Sequence, residues 1–225
     1  MNNEEKKIAV IITGATGMVG EGVMLECLEN AAVEQVLIVN RKPYGMTHAK
    51  LKEIVVADFM QLDGIRDELN GYDACFYCAG VSSLGKSEEE YTHVTYDVTM
   101  NFAKTLVAVS PEMVFIFVTG AHTDGSEKGK LMWARVKGRT ENALTRLGFR
   151  GAYNFRPGFM RPVKGQRNVN KYYWLIGWTY PILRTLTPTY VSTLRDVAVA
   201  MILCVAQGYP KQVLEIRDIN SLGKG

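Results

Sequence analysis

A glycine-rich turn near the N-terminus constrains the fold more than any other feature. Gly14, Gly17 and Gly20 directly follow an apolar run at residues 8–12, and residues 19–29 then carry apolar side chains at helical spacing. Because glycine lacks a Cβ, a strand can turn sharply into a helix there while a pyrophosphate comes close to the backbone. The helix N-terminus offers unpaired N–H groups to the phosphates. The turn therefore predicts a dinucleotide-binding fold, and it carries no information about chemistry.

Strand-like apolar runs alternate with helical segments along most of the chain. We predict strands at residues 8–12, 36–39, 53–57, 74–78, 114–118, 150–156 and 213–216. We predict helices at residues 19–29, 64–69, 88–110, 131–147 and 193–207. Continuous apolar strands are typical of a parallel sheet that is covered on both faces. The fold class is thus α/β, a doubly wound parallel sheet (Rossmann) with a small C-terminal cap.

The length of 225 residues and the 47% hydrophobic content favour one structural unit. We interpret residues 1–160 as a dinucleotide-binding Rossmann domain and residues 161–225 as a small cap that returns to it. The aromatic segment from Tyr172 to Tyr180 belongs to this cap. Four roles are compatible with this segment: it packs onto the domain, covers the substrate as a lid, forms an oligomer interface or lies on a membrane surface.

Charge and hydropathy argue against several classes of partner. The formal net charge of +3 comes from scattered basic residues, so we expect no nucleic-acid binding. The polar N-terminus does not resemble a targeting segment, and no run approaches the ~20 apolar residues that a spanning helix needs. We therefore expect a cytoplasmic protein that does not act at a membrane.

The four cysteines include a Cys75-x-x-Cys78 pair inside a predicted strand. Side chains alternate along a strand, so the two sulfur atoms point to opposite faces of the sheet. We interpret these thiols as buried and unreactive, and we predict no metal site.

The end of the second strand bears on the choice of dinucleotide. An acidic side chain about twenty residues beyond the glycines would hold the ribose hydroxyls of NAD. This chain has Asn40, Arg41 and Lys42 there, and a planar guanidinium suits the 2′-phosphate of NADP. NADP is favoured over NAD, although solvated turn residues are an alternative interpretation of Arg41 and Lys42.

Two further loops follow the third and fourth strands, at the sheet edge where such folds bind ligands. Asp58 is expected to accept a hydrogen bond from adenine, and Ala79-Gly80 to let the backbone approach the adenosine ribose. The predicted cofactor-binding residues are Gly14, Thr16, Gly17, Met18, Val19, Gly20, Asn40, Arg41, Lys42, Asp58, Phe59, Cys78, Ala79, Gly80, Lys137, Pro157 and Gly158.

The glycine spacing, the Asp58-Phe59 pair, Ala79-Gly80 and Lys137 resemble the short-chain dehydrogenase/reductase superfamily, in its extended and atypical branches of epimerase/dehydratase-like proteins. The likeness runs from residue 8 to about residue 161. It implies a strand-end Ser or Thr that polarises a carbonyl, a Tyr-x-x-x-Lys pair that carries the proton chemistry, and a loop at Pro157-Gly158 beside the nicotinamide. It is also compatible with a homodimer, since members of the superfamily often pair through long helices.

The chain departs from that pattern at the proton-transfer position. Trp133 stands four residues before Lys137, where the family has tyrosine, and an indole cannot shuttle a proton near neutral pH. The strand-end hydroxyl is either Thr119 or Thr123, and His122 is the best replacement acid. Trp133 is also expected to stack on the nicotinamide or shape its pocket. We expect Lys137 to hold the cofactor ribose.

Two functions therefore stay open. The first is an NADP(H)-dependent oxidoreductase or epimerase-like enzyme acting on an unidentified carbonyl or hydroxyl compound. Its candidate catalytic residues are Thr119, Thr123, His122, Trp133 and Lys137. The alternative is a non-catalytic NADP(H)-sensing or scaffold protein that acts through a partner.

Overall fold

The computed structural model describes residues 6–169 and 190–224. The strands are β1 Ile8–Thr13, β2 Val33–Asn40, β3 Leu51–Val55, β4 Ala74–Tyr77, β5 Val114–Val118, β6 Gly151–Arg156, β7 Phe159–Arg161, β8 Val191–Thr193 and β9 Val213–Glu215. The α-helices are α1 Met18–Glu29, α2 Glu88–Thr92, α3 Val98–Val109, α4 Met132–Leu144, α5 Leu194–Gln207 and α6 Ile216–Gly223.

Seven parallel strands form the central sheet in the order β3-β2-β1-β4-β5-β6-β9. The chain runs outward from β1 through β2 to β3, then crosses back to place β4 on the other side of β1. This reversal puts the switch point of the sheet between β1 and β4, where open α/β sheets bind ligands. The doubly wound α/β fold is confirmed.

Two hydrophobic cores cover the faces of this sheet, and β1 contributes to both by strict alternation. Val10 and Ile12 pack with α1 and α5, whereas Ala9 and Ile11 face the other layer, which includes α3. All six residues of β1 are buried. A central parallel strand with helices on both faces has no solvent side, which explains its continuous apolar sequence.

Two predicted helices differ from the structure. Residues 64–69 form two short 3₁₀ turns, Asp63–Ile65 and Asp67–Leu69, because so short a segment gains too few hydrogen bonds to offset helix nucleation. The helix predicted at residues 88–110 is interrupted by a π-helical turn, His93–Asp97, between α2 and α3. A π turn changes the phase of a helix and so changes which side chains face the sheet edge.

Cys75 and Cys78 lie on opposite faces, as predicted. Cys75 is buried in the core beside α3, whereas Cys78 packs against the core beside α1. Cys78 is only half-buried, because it follows the last residue of β4, so the prediction of buried thiols is wrong for this residue. Burial raises the pKa of the Cys78 thiol to about 12. Within residues 6–169 and 190–224, no three His, Cys, Asp or Glu side chains gather in an arrangement that would hold a metal ion.

The C-terminal part is more closely integrated with the main sheet than a separate cap would be. Helix α5 packs against α1 within the same core, and β9 adds the seventh strand beside β6. Strands β7 and β8 pair separately in a small parallel sheet. The aromatic segment from Tyr172 to Tyr180 lies outside the described residues. In the described part of the chain, no helix is both long and apolar enough to span a membrane.

A buried ion pair fastens α4 to the ends of β6 and β9. The Arg156 guanidinium makes a bidentate contact with Glu141, with Nε 3.0 Å from Oε1 and Nη2 2.5 Å from Oε2. Its Nη1 donates to Glu215 Oε1 at 3.0 Å. The Glu141 side chain is only 2% exposed. Although burial opposes the charge, the two carboxylates raise the pKa of Arg156 above its usual value. The pair therefore satisfies a carboxylate that has almost no contact with water.

Replacing Arg156 with Met is expected to destabilise the protein by about 3–5 kcal/mol, because Glu141 would be left buried without its cation. Urea unfolding at neutral pH measures this change. The double variant Glu141→Leu/Arg156→Met removes both charges and should recover most of the lost free energy of unfolding. A single variant as stable as the parent would contradict this account.

Gly138 in α4 is a second point of close packing, because a Cβ there would overlap the Asp124 carbonyl oxygen. Gly138→Ala should therefore lower the free energy of unfolding by about 1–3 kcal/mol, even though Ala is the better helix former. Gly64→Ala is the matched control, since no atom lies within 4 Å of a Cβ at that position. Equal effects of the two substitutions in chemical unfolding would exclude the overlap as the cause.

Candidate functional site

The glycine-rich turn brings two backbone segments into direct contact at the switch point of the sheet. Gly14 adopts φ +74°, and a Cβ there would lie 2.7 Å from the Ala79 nitrogen. A Cβ on Gly20 would overlap the Gly14 carbonyl oxygen. Two of the three glycines therefore permit close approach between backbone segments, which no other residue type allows.

Gly17 is the N-cap of α1 and provides no capping side chain. Its own N–H donates to the Gly14 oxygen at 2.9 Å, which closes the turn. The first N–H groups of an α-helix have no partner within the helix, and the helix dipole makes this end attractive to anions. The turn thus presents backbone donors suited to a pyrophosphate.

A cleft of about 370 Å³ opens above the glycine-rich turn. Its walls come from the ends of β1, β2 and β4, from the loop after β3, and from the helical region after β4. The lining residues are Gly14, Thr16, Gly17, Asn40, Arg41, Ala57, Asp58, Phe59, Tyr77, Cys78, Ala79, Gly80, Val81, Val94 and Val98. Most of the predicted adenosine-side residues therefore lie in one cavity of the size of a small-molecule site.

The end of β2 combines an exposed cation with a buried amide. Arg41 lines the cleft and is exposed, whereas Asn40 is 2% exposed. Glu53, on the neighbouring strand, accepts from Asn40 Nδ2 at 3.2 Å and from the Tyr44 N–H at 2.7 Å. Asn40 Oδ1 has no hydrogen-bond partner in the described part of the chain. The cleft therefore retains an unsatisfied acceptor, as expected at a site built for a polar ligand.

The apolar wall of the cleft depends on the π turn. Val94 lies within that turn and Val98 directly after it, so the irregular turn helps to direct both side chains to the cleft. The same helical region also holds Phe59, because Asn101 Nδ2 of α3 donates to the Phe59 carbonyl oxygen at 2.8 Å. An apolar slot of this kind suits a flat aromatic base such as adenine.

The residues predicted for the nicotinamide end form a second cluster outside this cleft. The Lys137 ammonium donates to the Thr119 carbonyl oxygen. The Thr119 hydroxyl lies 2.7 Å from Glu141 Oε1 and 3.1 Å from the Phe155 carbonyl oxygen. Burial lowers the pKa of Lys137, and the nearby Glu141 carboxylate opposes this effect. The cluster brings Lys137 and Thr119 together, but it directs the Thr119 hydroxyl toward Glu141.

Three other candidate residues occupy the loop after β5 and the start of α4. The Thr123 hydroxyl is buried and donates to the Gly120 carbonyl oxygen at 2.9 Å. His122 is exposed and takes a left-handed conformation with φ +67°. Trp133 is half-buried in the first turn of α4. A role in catalysis for these residues stays a prediction.

Several predicted cofactor residues lie outside the cleft wall. Met18, Val19 and Gly20 form the first turn of α1, and exposed Lys42 follows Arg41. Pro157 accepts from the Ala121 N–H at 3.1 Å, which joins the two loops at the nicotinamide end. A Cβ on Gly158 would overlap the Tyr190 carbonyl oxygen, so this glycine permits the approach of β8.

Sequence reasoning missed the contributions of Glu53, Glu141, Val94 and Val98. Strand register places Glu53 opposite Ile38, from where its carboxylate reaches the end of β2. Glu141 lies one turn after Lys137 on α4, a spacing that predicts a shared helix face. No sequence signal indicated the π turn that positions the two valines.

Comparison with known proteins identifies relatives of low identity. The chain is 25% identical over 142 residues to the Leucinostatins biosynthesis cluster protein T of Purpureocillium lilacinum, which covers 61% of this chain and 51% of that protein. It is 26% identical over 169 residues to the mitochondrial protein fmp52 of Emericella nidulans, covering 72% and 70% of the two chains. The chain thus spans about half the length of the first relative.

The fold is similar to that of MoeE5, solved in complex with UDP-glucuronic acid and NAD, with a TM-score of 0.65 and 17% identity. The likeness covers 96% of this chain and 81% of MoeE5. This likeness shows the fold, and the epimerase/dehydratase family model that matches residues 10–132 confirms the resemblance to extended short-chain dehydrogenases/reductases inferred from the motifs.

The model of the NAD dependent epimerase/dehydratase family matches residues 10–132. That segment includes the glycine-rich turn and the residues that line the cleft. Because the match spans more than half of the 225 residues, this chain belongs to the NAD dependent epimerase/dehydratase family and has its NAD(P)-binding fold.

Proposed function

We propose that this protein binds NADP(H) in the cleft above the glycine-rich turn. The observation that carries the proposal is the exposed Arg41 guanidinium in the cleft wall at the end of β2. The Glu53 carboxylate beside that strand end already accepts from Asn40 and Tyr44. A planar cation suits a 2′-phosphate, whereas an acidic side chain would repel it.

The remaining residues of the cleft fit the other parts of the cofactor. The N-terminus of α1 would face the pyrophosphate, and Asp58 and Phe59 would border the adenine. Asn40 Oδ1 would accept a hydrogen bond that no described residue supplies. We also propose a small-molecule substrate, because the cleft has the volume of such a site, and no nucleic-acid partner, because the net charge is only +3. A cytoplasmic location is part of the same proposal.

The chemistry that this site supports best is oxidoreduction of a small carbonyl or hydroxyl compound. A bound nicotinamide dinucleotide supplies or accepts the hydride in such reactions. Lys137 would hold the cofactor ribose through the ammonium hydrogens that Thr119 does not use. Trp133 would border the nicotinamide, and exposed His122 or water would supply the proton to the substrate oxygen.

A second candidate function is NADP(H) sensing without turnover. Two observations favour it. Trp133 stands four residues before Lys137, where the family resemblance implies the proton-transfer tyrosine, and the Thr119 hydroxyl lies against Glu141 and the Phe155 carbonyl oxygen. Both features are compatible with cofactor binding, but among the described residues they leave no positioned group that would transfer a proton to the substrate. In that case the bound nucleotide would control contact with a partner protein.

Arg41→Ala should weaken NADPH binding about tenfold or more and leave NADH binding nearly unchanged, because the variant loses a charge-assisted contact to the 2′-phosphate. Isothermal titration with each nucleotide measures both dissociation constants. Lys52→Ala removes an exposed cation of β3 outside the cleft and serves as the control. A parent protein that prefers NADH would refute the assignment of NADP.

Trp133→Tyr separates the two candidate functions. If the protein is an enzyme whose product is protonated by His122 or water, the parent should oxidise NADPH in the presence of a carbonyl compound. His122→Asn should slow this reaction if histidine is the proton donor. If it is a sensor, only the tyrosine variant should show turnover. Nucleotide oxidation followed across a panel of aldehydes and ketones measures both. Turnover in neither protein, with NADPH bound by both, would argue against the oxidoreductase.

A further inference from the structure

A short segment after β7 crosses the nucleotide-binding helix. We refer to residues 163–168 as the strap. Gln166 Nε2 donates to the Met18 carbonyl oxygen at 2.7 Å, while its Oε1 accepts from the Val163 N–H at 2.8 Å. The strap is therefore attached to the first turn of α1, beside the glycine-rich turn.

Glu21 is the main anchor of the strap. Its side chain belongs to the first turn of α1, and the residue is fully buried. Oε1 accepts from the Arg167 N–H at 2.8 Å, and Oε2 accepts from the Asn168 N–H at 2.7 Å. The Tyr44 hydroxyl donates to Oε1 at 2.7 Å. One buried carboxylate thus joins α1, the strap and the β2–β3 connection.

These contacts leave the Arg167 guanidinium available, because only its backbone N–H is used by Glu21. The side chain is exposed, and its guanidinium carbon lies 5.6 Å from the centre of the Tyr44 ring. In the part of the chain that the structure describes, no carboxylate forms an ion pair with Arg167. Tyr44 follows Arg41 by three residues. Among the described residues, the strap therefore adds a further cation without an ion pair, beside Arg41 and Lys42 of the β2–β3 connection.

We propose that Arg167 is a specificity-determining residue that binds the 2′-phosphate of NADP(H) together with Arg41, and that Glu21 positions it. This inference rests on the proposed binding of NADP(H). A 2′-phosphate carries about two negative charges, and two guanidinium groups match it better than one. The cation comes from the C-terminal half of the chain, so the phosphate would be held between both halves.

Packing of Arg167 on Tyr44 is the competing explanation. A cation over an aromatic ring stabilises an exposed site by only about 0.5–1 kcal/mol, and this contribution does not depend on the nucleotide. Loss of a phosphate contact, by contrast, raises the dissociation constant of NADPH and does not change that of NADH. The ratio of the two dissociation constants therefore distinguishes these roles.

The test compares the parent with Arg167→Ala and with Lys164→Ala, which removes another exposed cation of the same strap. Isothermal titration of the full chain should show NADPH binding weakened about tenfold in Arg167→Ala, with NADH binding changed less than twofold. Lys164→Ala should bind both nucleotides like the parent. Raising the salt concentration should reduce the difference between parent and Arg167→Ala.

Glu21→Gln tests the positioning role, since it keeps the side-chain shape but cannot accept both strap N–H groups. It should reduce the preference for NADPH severalfold, and Arg167→Ala in that background should then have a smaller effect. Equal weakening of NADPH and NADH by Arg167→Ala, or no weakening, would overturn the proposal. A parent that does not prefer NADPH would instead refute the proposed function, so the two failures are distinguishable.

Discussion

The contact between the glycine-rich turn and the loop after β4 is the constraint on which the site depends. Gly14 lies so close to Ala79 that a Cβ would have to displace the backbone of the neighbouring strand end. This contact brings β1 and β4 together at the point where the sheet reverses its order. The end of α1, the cleft and the end of β2 all take their positions from it. A side chain at Gly14 would therefore disturb the fold before it disturbed a ligand.

The candidate site divides into a half proposed for the adenosine and a half proposed for the nicotinamide, and the two have different properties. The adenosine half is an open cleft that retains backbone donors, an exposed cation and an unsatisfied amide oxygen. In the proposed nicotinamide half, the polar groups form hydrogen bonds with one another, since Lys137 donates to the Thr119 carbonyl oxygen and the Thr119 hydroxyl faces Glu141. A buried polar network of this kind resists rearrangement, because any group that leaves it loses a partner in a medium of low dielectric. Under the proposed function, nucleotide binding and hydride chemistry would thus depend on separate sets of residues.

Local patterns predicted the parts of this site that depend on neighbouring residues along the chain. The glycine turn and Arg41 lie in the cleft as predicted, because spacing within a strand–turn–helix unit determines their positions. Lys137 was named from the family resemblance, and its role stays a prediction. Glu53 was missed because its place beside Asn40 depends on the register of two strands. The π turn was missed because hydrophobic periodicity assumes a regular helix and cannot show one irregular turn. Long-range pairing and irregular geometry are set by tertiary packing.

The anchoring of the strap by Glu21 also bears on the order in which the protein folds. Its carboxylate accepts from N–H groups that lie 146 and 147 residues later in the chain. During synthesis, α1 and Tyr44 leave the ribosome long before these two partners exist, so the Glu21 carboxylate lacks two of its three donors until most of the chain is complete. Contacts of such large sequence separation form late, because the entropy of closing a long loop must first be overcome. The first turn of the nucleotide-binding helix is therefore among the last parts of the protein to reach its final surroundings.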